Sequence, residues 1–277
     1  MTAPRASVVV RARDEEATIG RTLALLRRQT VEPEIIVVDS GSTDRTVHIA
    51  GALCDRLIRI APERFTFGHA LNVGARAATA EVHFALSAHC FPEQTDWIAR
   101  ALAHYERPDV AGTGGDRTLP DGRPLEATLY QDAAHARAHP WWGFSNHASS
   151  WRASVWEQFP FDEEIEASED RAWAFRVLEA GWVIAIDPRL WVRMSHVWRS
   201  GVRSFYRRRR REARALAGIT SFPAYDLGDL VREWWTALPD TAHAPILHRL
   251  DYRRMAGLAG KYAGYRQARR SASGRVT

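Results

Sequence analysis

The first hundred residues alternate short apolar runs with amphipathic stretches. Ala6 to Val10 is an apolar, β-branched run of strand length. Glu15 to Gln29 carries Ile19, Leu23 and Leu26 at helical spacing, which predicts a helix with one buried face. Glu34 to Val38 repeats the strand pattern and runs into Asp39-Ser40-Gly41-Ser42-Thr43-Asp44, a polar turn able to cap a following helix. Arg56 to Ile60 predicts a strand, His69 to Ala78 a helix and Glu81 to Leu86 a strand. Thr95 to Tyr105 predicts a further helix, with Trp97, Ile98, Ala101 and Leu102 apolar. Strand-then-helix alternation implies an α/β fold, Rossmann-like, with a mostly parallel central sheet and helices on both faces. Ligands of such sheets bind beyond the carboxyl ends of the strands. Those ends are Arg11 to Asp14, Asp39 to Asp44 and Ser87 to Cys90, and all three are polar.

The second half is less regular. Gly112 to Pro124 reads as strand and turn, and Ala133 to Ser150 is dense in His and Trp. Glu169 to Ala180 predicts a helix ended by Gly181, Val183 to Ser195 an extended segment, and Arg203 to Leu216 a very basic helix. No internal repeat is visible. Residues 1–215 read as one α/β domain and 216–277 as a basic helical extension, with the last few residues disordered.

Charge changes this picture at one end. Net charge is +5, but the stretch 197–277 holds 17 Arg and Lys against 6 Asp and Glu, a net of +11, while the first 196 residues carry −6. A basic end of this kind suits an anionic partner: phosphate, acidic lipid or nucleic acid. At 45% hydrophobic the chain can build a sizeable core. Cys54 and Cys90 form no disulfide framework and point to a reducing, cytoplasmic setting. Val8 to Val10 is too short for a signal peptide and no run approaches a membrane span, so a soluble or peripheral protein is expected.

An ordered set of segments resembles glycosyltransferase family 2, the inverting enzymes of GT-A fold, over about residues 7–214. The set is Ser7-Val8-Val9-Val10-Arg11-Ala12-Arg13-Asp14-Glu15-Glu16, Glu34 to Asp44, Phe67-Gly68-His69-Ala70-Leu71-Asn72-Val73-Gly74, Leu86-Ser87-Ala88-His89-Cys90-Phe91-Pro92, Ser168-Glu169-Asp170 and Ser195-His196. Within the family the chain is most similar to bacterial enzymes of the rhamnosyltransferase type. The resemblance implies a nucleoside-diphosphate sugar donor, of UDP or dTDP type, and a glycan, lipid-linked or small-molecule acceptor.

Several site residues follow from the resemblance. Asp39 would read the nucleobase, or else cap the helix after Asp44; Arg13 and Glu15 would touch the nucleoside. His69 and Asn72, one helical turn apart, would lie near the ribose and diphosphate, with Ser87 beside them. The family's Asp-x-Asp metal motif is replaced here by Ser87-Ala88-His89. A divalent cation, Mn²⁺ or Mg²⁺, would then rest on His89 and on His196. Asp170 would be the general base of an in-line displacement and Glu169 its orienting neighbour; alternatively both acids simply meet a helix dipole. Trp141, Trp142, Asn146 and His147 would contact the acceptor or the donor sugar, since aromatic rings stack on the apolar faces of sugars, or else pack in the core.

Arg203 to Arg214 holds seven arginines in twelve positions. Diphosphate neutralisation, peripheral contact with an anionic inner-membrane face and a solvated helix face are the readings open to it. The tail from Gly218 reads as a membrane-docking element, a homodimer arm or an acceptor lid. Competing classes are a catalytically inactive sugar-nucleotide binder, suggested by Ser87 and His89, and a nucleotidyltransferase, which should show a Gly-rich loop where Val8 to Glu16 has no Gly. A basic nucleic-acid-binding protein is disfavoured by the acidic first 196 residues and the lack of a recognition motif, so no nucleic-acid partner is expected.

Overall fold

The structure, a computed structural model, describes residues 5–195, 201–218, 226–236 and 252–273. Two compact units emerge: Met1–Glu164 with Glu169–His196, and Ile165–Ser168 with Val197–Thr277.

The first unit is built on an eight-stranded sheet. Its strands are β1 (Ser7–Ala12), β2 (Glu34–Asp39), β3 (Arg56–Arg59), β4 (Val82–Ser87), β6 (Val110–Gly114), β7 (Leu129–Gln131), β8 (Ala148–Arg152) and β9 (Val183–Ile186), in the order β3-β2-β1-β4-β8-β6-β9-β7. β1 pairs in parallel with β2 and β4, β2 with β3, and β6 with β9. β8 runs antiparallel between β4 and β6, and β7 antiparallel along β9. The parallel expectation therefore holds for four of the seven pairings in this sheet among the described residues, and the antiparallel β8 starts at the end of the sheet where β4 finishes. A two-stranded ladder joins β5 (Cys90–Phe91) to β10 (Arg193–Met194).

The central strands read as unbroken apolar runs because both faces are covered. Val8, Val9 and Val10 are all fully buried, as are Ile35, Ile36 and Val37. Val8, Val10, Ile35, Val37, Phe84 and Leu86 share one core with Ile19, Leu23 and Leu26 of α1 (Ile19–Arg27) and with Trp97, Ile98 and Ala101 of α4 (Trp97–Ala103). α2 (Thr46–Gly51) adds Ala50 to that core. On the other face, α3 (Phe67–Ala77) approaches β1 at Gly74, where an added Cβ would stand 2.3 Å from Val9 Cγ1. Any side chain there would push the helix off the strand. The short helices α5 (Ala133–Ala138) and α6 (Ala153–Gln158) and the longer α7 (Glu169–Glu179) complete this unit.

Three elements differ from their sequence expectation. α1 begins at Ile19, not at Glu15; before it, the backbone N–H groups of Asp14, Glu15 and Glu16 donate to the side chains of Ser42, Thr46 and Asp44 at 2.9, 2.7 and 3.1 Å. These bonds hold a turn, with Asp14 at φ +52°, where a lone helix would have started. The helix predicted to Tyr105 stops at Ala103 and tightens into a 3₁₀ turn, His104–Glu106. The extended stretch from Val183 is broken by the 3₁₀ turn Pro188–Leu190, where Pro188 lacks a donor N–H.

The second unit contains α8 (Val202–Gly218), α9 (Leu227–Thr236) and α10 (Tyr252–Ser273). α8 and α10 approach at glycines of α10: an added Cβ on Gly260 or Gly264 would stand 2.5 Å from Tyr206 O or 2.3 Å from Arg210 O.

Candidate active site

The first unit gathers polar side chains at one edge of its sheet. β1 has parallel neighbours on both sides, and the chain visits β2 and β3 before crossing to β4, so the order reverses between β1 and β4. Reversal leaves a crevice beyond the strand ends. Arg11 and Ser87 face each other in register there. Leu86 pairs with Ala148, which sets Asn146 and His147, just before β8, at the same end. The N–H of Ser87 donates to His147 O at 2.9 Å.

Arg11 ties the edge together. Its Nη2 donates to Asn146 O at 2.6 Å, its Nη1 lies 3.4 Å from Glu169 Oε1, and its guanidinium stands 5.4 Å over the Phe67 ring. Asn146 is buried and makes the remaining links. Its backbone N–H donates to Asp170 Oδ2 at 3.2 Å, its Nδ2 reaches Glu169 Oε1 at 3.5 Å, and its Oδ1 accepts from Ser149 Oγ at 2.9 Å. α7 opens with Glu169 and Asp170 after Ser168 at φ +66°, and Asp170 Oδ1 accepts the N–H of Arg171 at 2.8 Å. Ala172, Trp173, Val177 and Leu178 bury the other side of α7, so its first turn is held rigidly against the sheet edge.

The two carboxyls have different surroundings. Glu169 is 5% exposed, and burial, with a smaller push from the charge of Asp170, raises it to about 7 against the pull of Arg11. Asp170 is half-buried and opens onto the edge. His147 is held below the usual imidazole range by burial, opposed by Asp170. Burial also drives Cys90 up to about 12, which leaves a small buried thiol with no nucleophilic role.

At the place of the family's Asp-x-Asp, Ala88 is fully buried and His89 Nδ1 stands 2.6 Å from Glu15 Oε1. A carboxylate behind an imidazole fixes its ring and tautomer, the arrangement that supports a metal-ligating histidine. In the tautomer that donates Nδ1–H to Glu15, Nε2 is the acceptor nitrogen of the ring. Imidazole suits Mn²⁺ better than Mg²⁺, and such ions complete their shell with phosphate oxygens and water. This one imidazole fits a cation that is also held by substrate. Among the described residues no group of three or more His, Cys, Asp and Glu makes a metal cage, and His196 lies outside the described residues.

The other expected site residues have internal partners of their own. Asp39 is fully buried and accepts from Gly41 N at 3.1 Å, from Ser42 N at 3.2 Å and from the Ser42 hydroxyl, so it closes its own loop and not the start of the helix after Asp44. Just before α2, Asp44 Oδ1 accepts from Thr46 N at 2.9 Å. His69 and Asn72 both turn towards Glu163. Asn72 is buried and uses its full capacity internally: Nδ2 donates to Phe161 O and Glu163 Oε1, each at 2.8 Å, and Oδ1 accepts from Trp156 Nε1 and Phe161 N. His69 Nδ1 meets Glu163 Oε2 at 2.6 Å. Burial raises Glu163, but these bonds outweigh it and hold the acid below the usual range. The pair thus fastens α3 to the segment before α7. Arg13 is exposed and lies 4.0 Å from Asp14. Trp142 Nε1 donates to Thr118 O at 2.6 Å and its ring lies 5.3 Å from that of His135, while Trp141 is half-buried beside it.

Arg11 is the residue that sequence reasoning passed over. Its signal was present: a charge closing the apolar run Val8-Val9-Val10, at the carboxyl end of a buried strand.

Sheet and edge together define an α/β fold with an acidic helix start over the strand ends. Residues 7–164 match the family described as glycosyl transferase family 2, and the chain belongs to that family. The chain is 28% identical over 199 residues to the O-antigen chain rhamnosyltransferase RfbN of Salmonella typhimurium, covering 63% of this chain and 61% of that protein. It is 30% identical over 195 residues to the O-antigen chain rhamnosyltransferase WbaN of Salmonella anatum, covering 61% and 59%. The chain thus spans about three fifths of the length of these curated relatives. Among solved structures it is similar to the mannosyltransferase PcManGT from Pyrobaculum calidifontis in complex with GDP-Man and Mn²⁺, with a TM-score of 0.61 at 18% identity over 100% of this chain and 77% of that one. That likeness concerns the fold, which is GT-A.

Proposed function

We propose that this chain is an inverting glycosyltransferase that moves a hexose from a nucleoside-diphosphate sugar to an acceptor hydroxyl, with Asp170 as general base. The observation that carries this reading is the placing of Asp170. It is half-buried at the start of α7, with Oδ2 anchored by the Asn146 N–H at the edge where the β1 and β4 ends meet. A base so held can take the acceptor proton while the acceptor oxygen bonds to the anomeric carbon. The bond from that carbon to the diphosphate oxygen breaks on the opposite face, and its electron pair leaves with the nucleoside diphosphate. The sugar configuration is thereby inverted.

Glu169 is the neutral partner in this scheme. Raised to about 7, it carries its proton in about half the molecules at neutral pH, which limits the charge packed beside Asp170. Arg11 and Asn146 position both acids. Asn146 and His147 border the acceptor side, with Trp141 and Trp142 as the sugar-stacking surface. Donor contacts are assigned to Ser87, Glu15 and the loop that Asp39 closes, with a UDP- or dTDP-type nucleotide favoured. His89, with Glu15 behind it and His196 as the second ligand implied by the family, would hold a divalent cation, which would supply charge neutralisation at the leaving diphosphate.

Asp170→Asn tests the assignment. Transfer should fall by about 10²–10⁴-fold, the usual worth of a general base, while thermal stabilisation by the nucleotide persists. Unchanged turnover removes Asp170 from the reaction. If the wild-type chain binds the nucleotide yet neither transfers nor hydrolyses any sugar donor, the inactive-binder reading takes its place.

A further inference from the structure

The second unit carries a feature that sugar transfer leaves unused. α8 is covered by α10 on one face: Ala213 and Leu216 are fully buried, and an added Cβ on Gly257 would stand 2.7 Å from the Phe205 ring. At 100° per residue, Arg203, Arg207 and Arg211 line the opposite face, four residues apart. All three are exposed, and none makes an ion pair or hydrogen bond within the described residues. Neighbouring arginines do have partners. Arg208 and Arg209 share Glu212 at 2.7 and 3.0 Å, and Arg214 meets Glu166 at 2.9 Å. Arg210 is bonded to Gln267, which leaves its charge uncompensated. Unpaired arginines along one helical face repel each other, so an external polyanion would relieve them.

A second observation accompanies the charge. The same unit exposes Val202 (44%) on α8, Leu227 (58%) and Val231 (52%) on α9, and Met255 on α10. Leu227 and Val231 lie one turn apart and share a helix face. A nucleic-acid backbone would match the arginines but has no use for these aliphatic side chains. A bilayer interface matches both: anionic headgroups for guanidinium, and the headgroup–acyl boundary for aliphatic groups. No described helix is long and apolar enough to cross a membrane.

We propose that the second unit docks the protein on an anionic lipid surface, with Arg203, Arg207 and Arg211 against the headgroups and Leu227 and Val231 in the interface. The proposal is independent of the reaction at Asp170. Flotation of the full chain with vesicles tests it. Binding should appear with phosphatidylcholine vesicles containing phosphatidylglycerol and not with phosphatidylcholine alone, and should weaken with added salt. Each arginine at a lipid surface contributes roughly fivefold in affinity, so the triple variant Arg203→Gln, Arg207→Gln, Arg211→Gln should bind about a hundredfold more weakly. Leu227→Ser with Val231→Ser should weaken binding without altering its salt dependence. These side chains are exposed, and unchanged circular dichroism and melting would show that the variants keep their fold. Equal binding to both vesicle types, binding to neither, full binding by the triple variant, or displacement of the vesicles by duplex DNA at the same salt each overturns the proposal.

Discussion

The backbone N–H of Asn146 donates to Oδ2 of Asp170 at 3.2 Å, while the Asn146 side chain reaches back to Ser149 and Glu169. One residue thus joins the entry to β8 with the first turn of α7. Because the bond to Asp170 uses the main chain, a side-chain substitution separates the two roles. Asn146→Ala should keep Asp170 in place but leave the buried Ser149 hydroxyl and Glu169 short of a partner. A loss of about 1–3 kcal/mol in urea unfolding is expected, with a smaller effect on turnover than that of Asp170→Asn. Equal losses of turnover in the two variants would make the side chain part of the reaction.

Glu169 predicts a pH dependence of stability. Its carboxyl is raised in the folded chain from 4.5 to about 7, chiefly by burial. The folded state therefore favours the protonated acid. The associated stability is fully present below about pH 4.5 and is lost as pH climbs through about 7. Glu169→Gln keeps a neutral group at all pH values and should remove this slope. Between about pH 4 and about pH 8 the variant should gain on the wild type by on the order of 3 kcal/mol in urea unfolding. Parallel stability profiles would place Glu169 in the ordinary carboxylate range.

Asn72 yields a test that separates a structural role from a binding one. Its four hydrogen bonds join α3 to Trp156, Phe161 and Glu163. Asn72→Ala should cost about 2–4 kcal/mol in stability through unsatisfied buried groups, and the folded variant should keep its nucleotide affinity. Selective loss of affinity at unchanged stability would return Asn72 to the donor site.

These cases show what was legible in the sequence. β1, β2 and β4 could be read because strands buried on both faces need apolar residues at every position, as in Val8-Val9-Val10 and Ile35-Ile36-Val37-Val38. The helix beginning at Glu169 and ending at Gly181 was readable because its start and stop signals are local, and Gly181 does adopt φ +92°. Long-range partners hid the rest. Glu15 lies in a turn that Ser42, Thr46 and Asp44 fasten from 28 to 31 residues away. His69 and Asn72 share a helix face, as their spacing indicates, but spacing does not reveal that the face meets Glu163. Arg11 looked like a polar strand end until Asn146 and Glu169 were folded onto it.

His89 carries the last prediction. Its ring is set by Glu15 at 2.6 Å, so the two should act together on any cation that accompanies the nucleotide. Thermal stabilisation by UDP should increase when Mn²⁺ is present, less with Mg²⁺, and fall back on addition of EDTA. His89→Ala should abolish the Mn²⁺-dependent increment while leaving stabilisation by UDP alone. Glu15→Gln still offers an oxygen to Nδ1–H but removes the charge behind the ring. It should weaken the Mn²⁺-dependent increment by about 10–100-fold in cation affinity, the usual cost of losing a supporting carboxylate. If Mn²⁺ acts equally on the wild type and on His89→Ala, the imidazole is no ligand. The dyad would then be a structural tie between the turn after β1 and the end of β4.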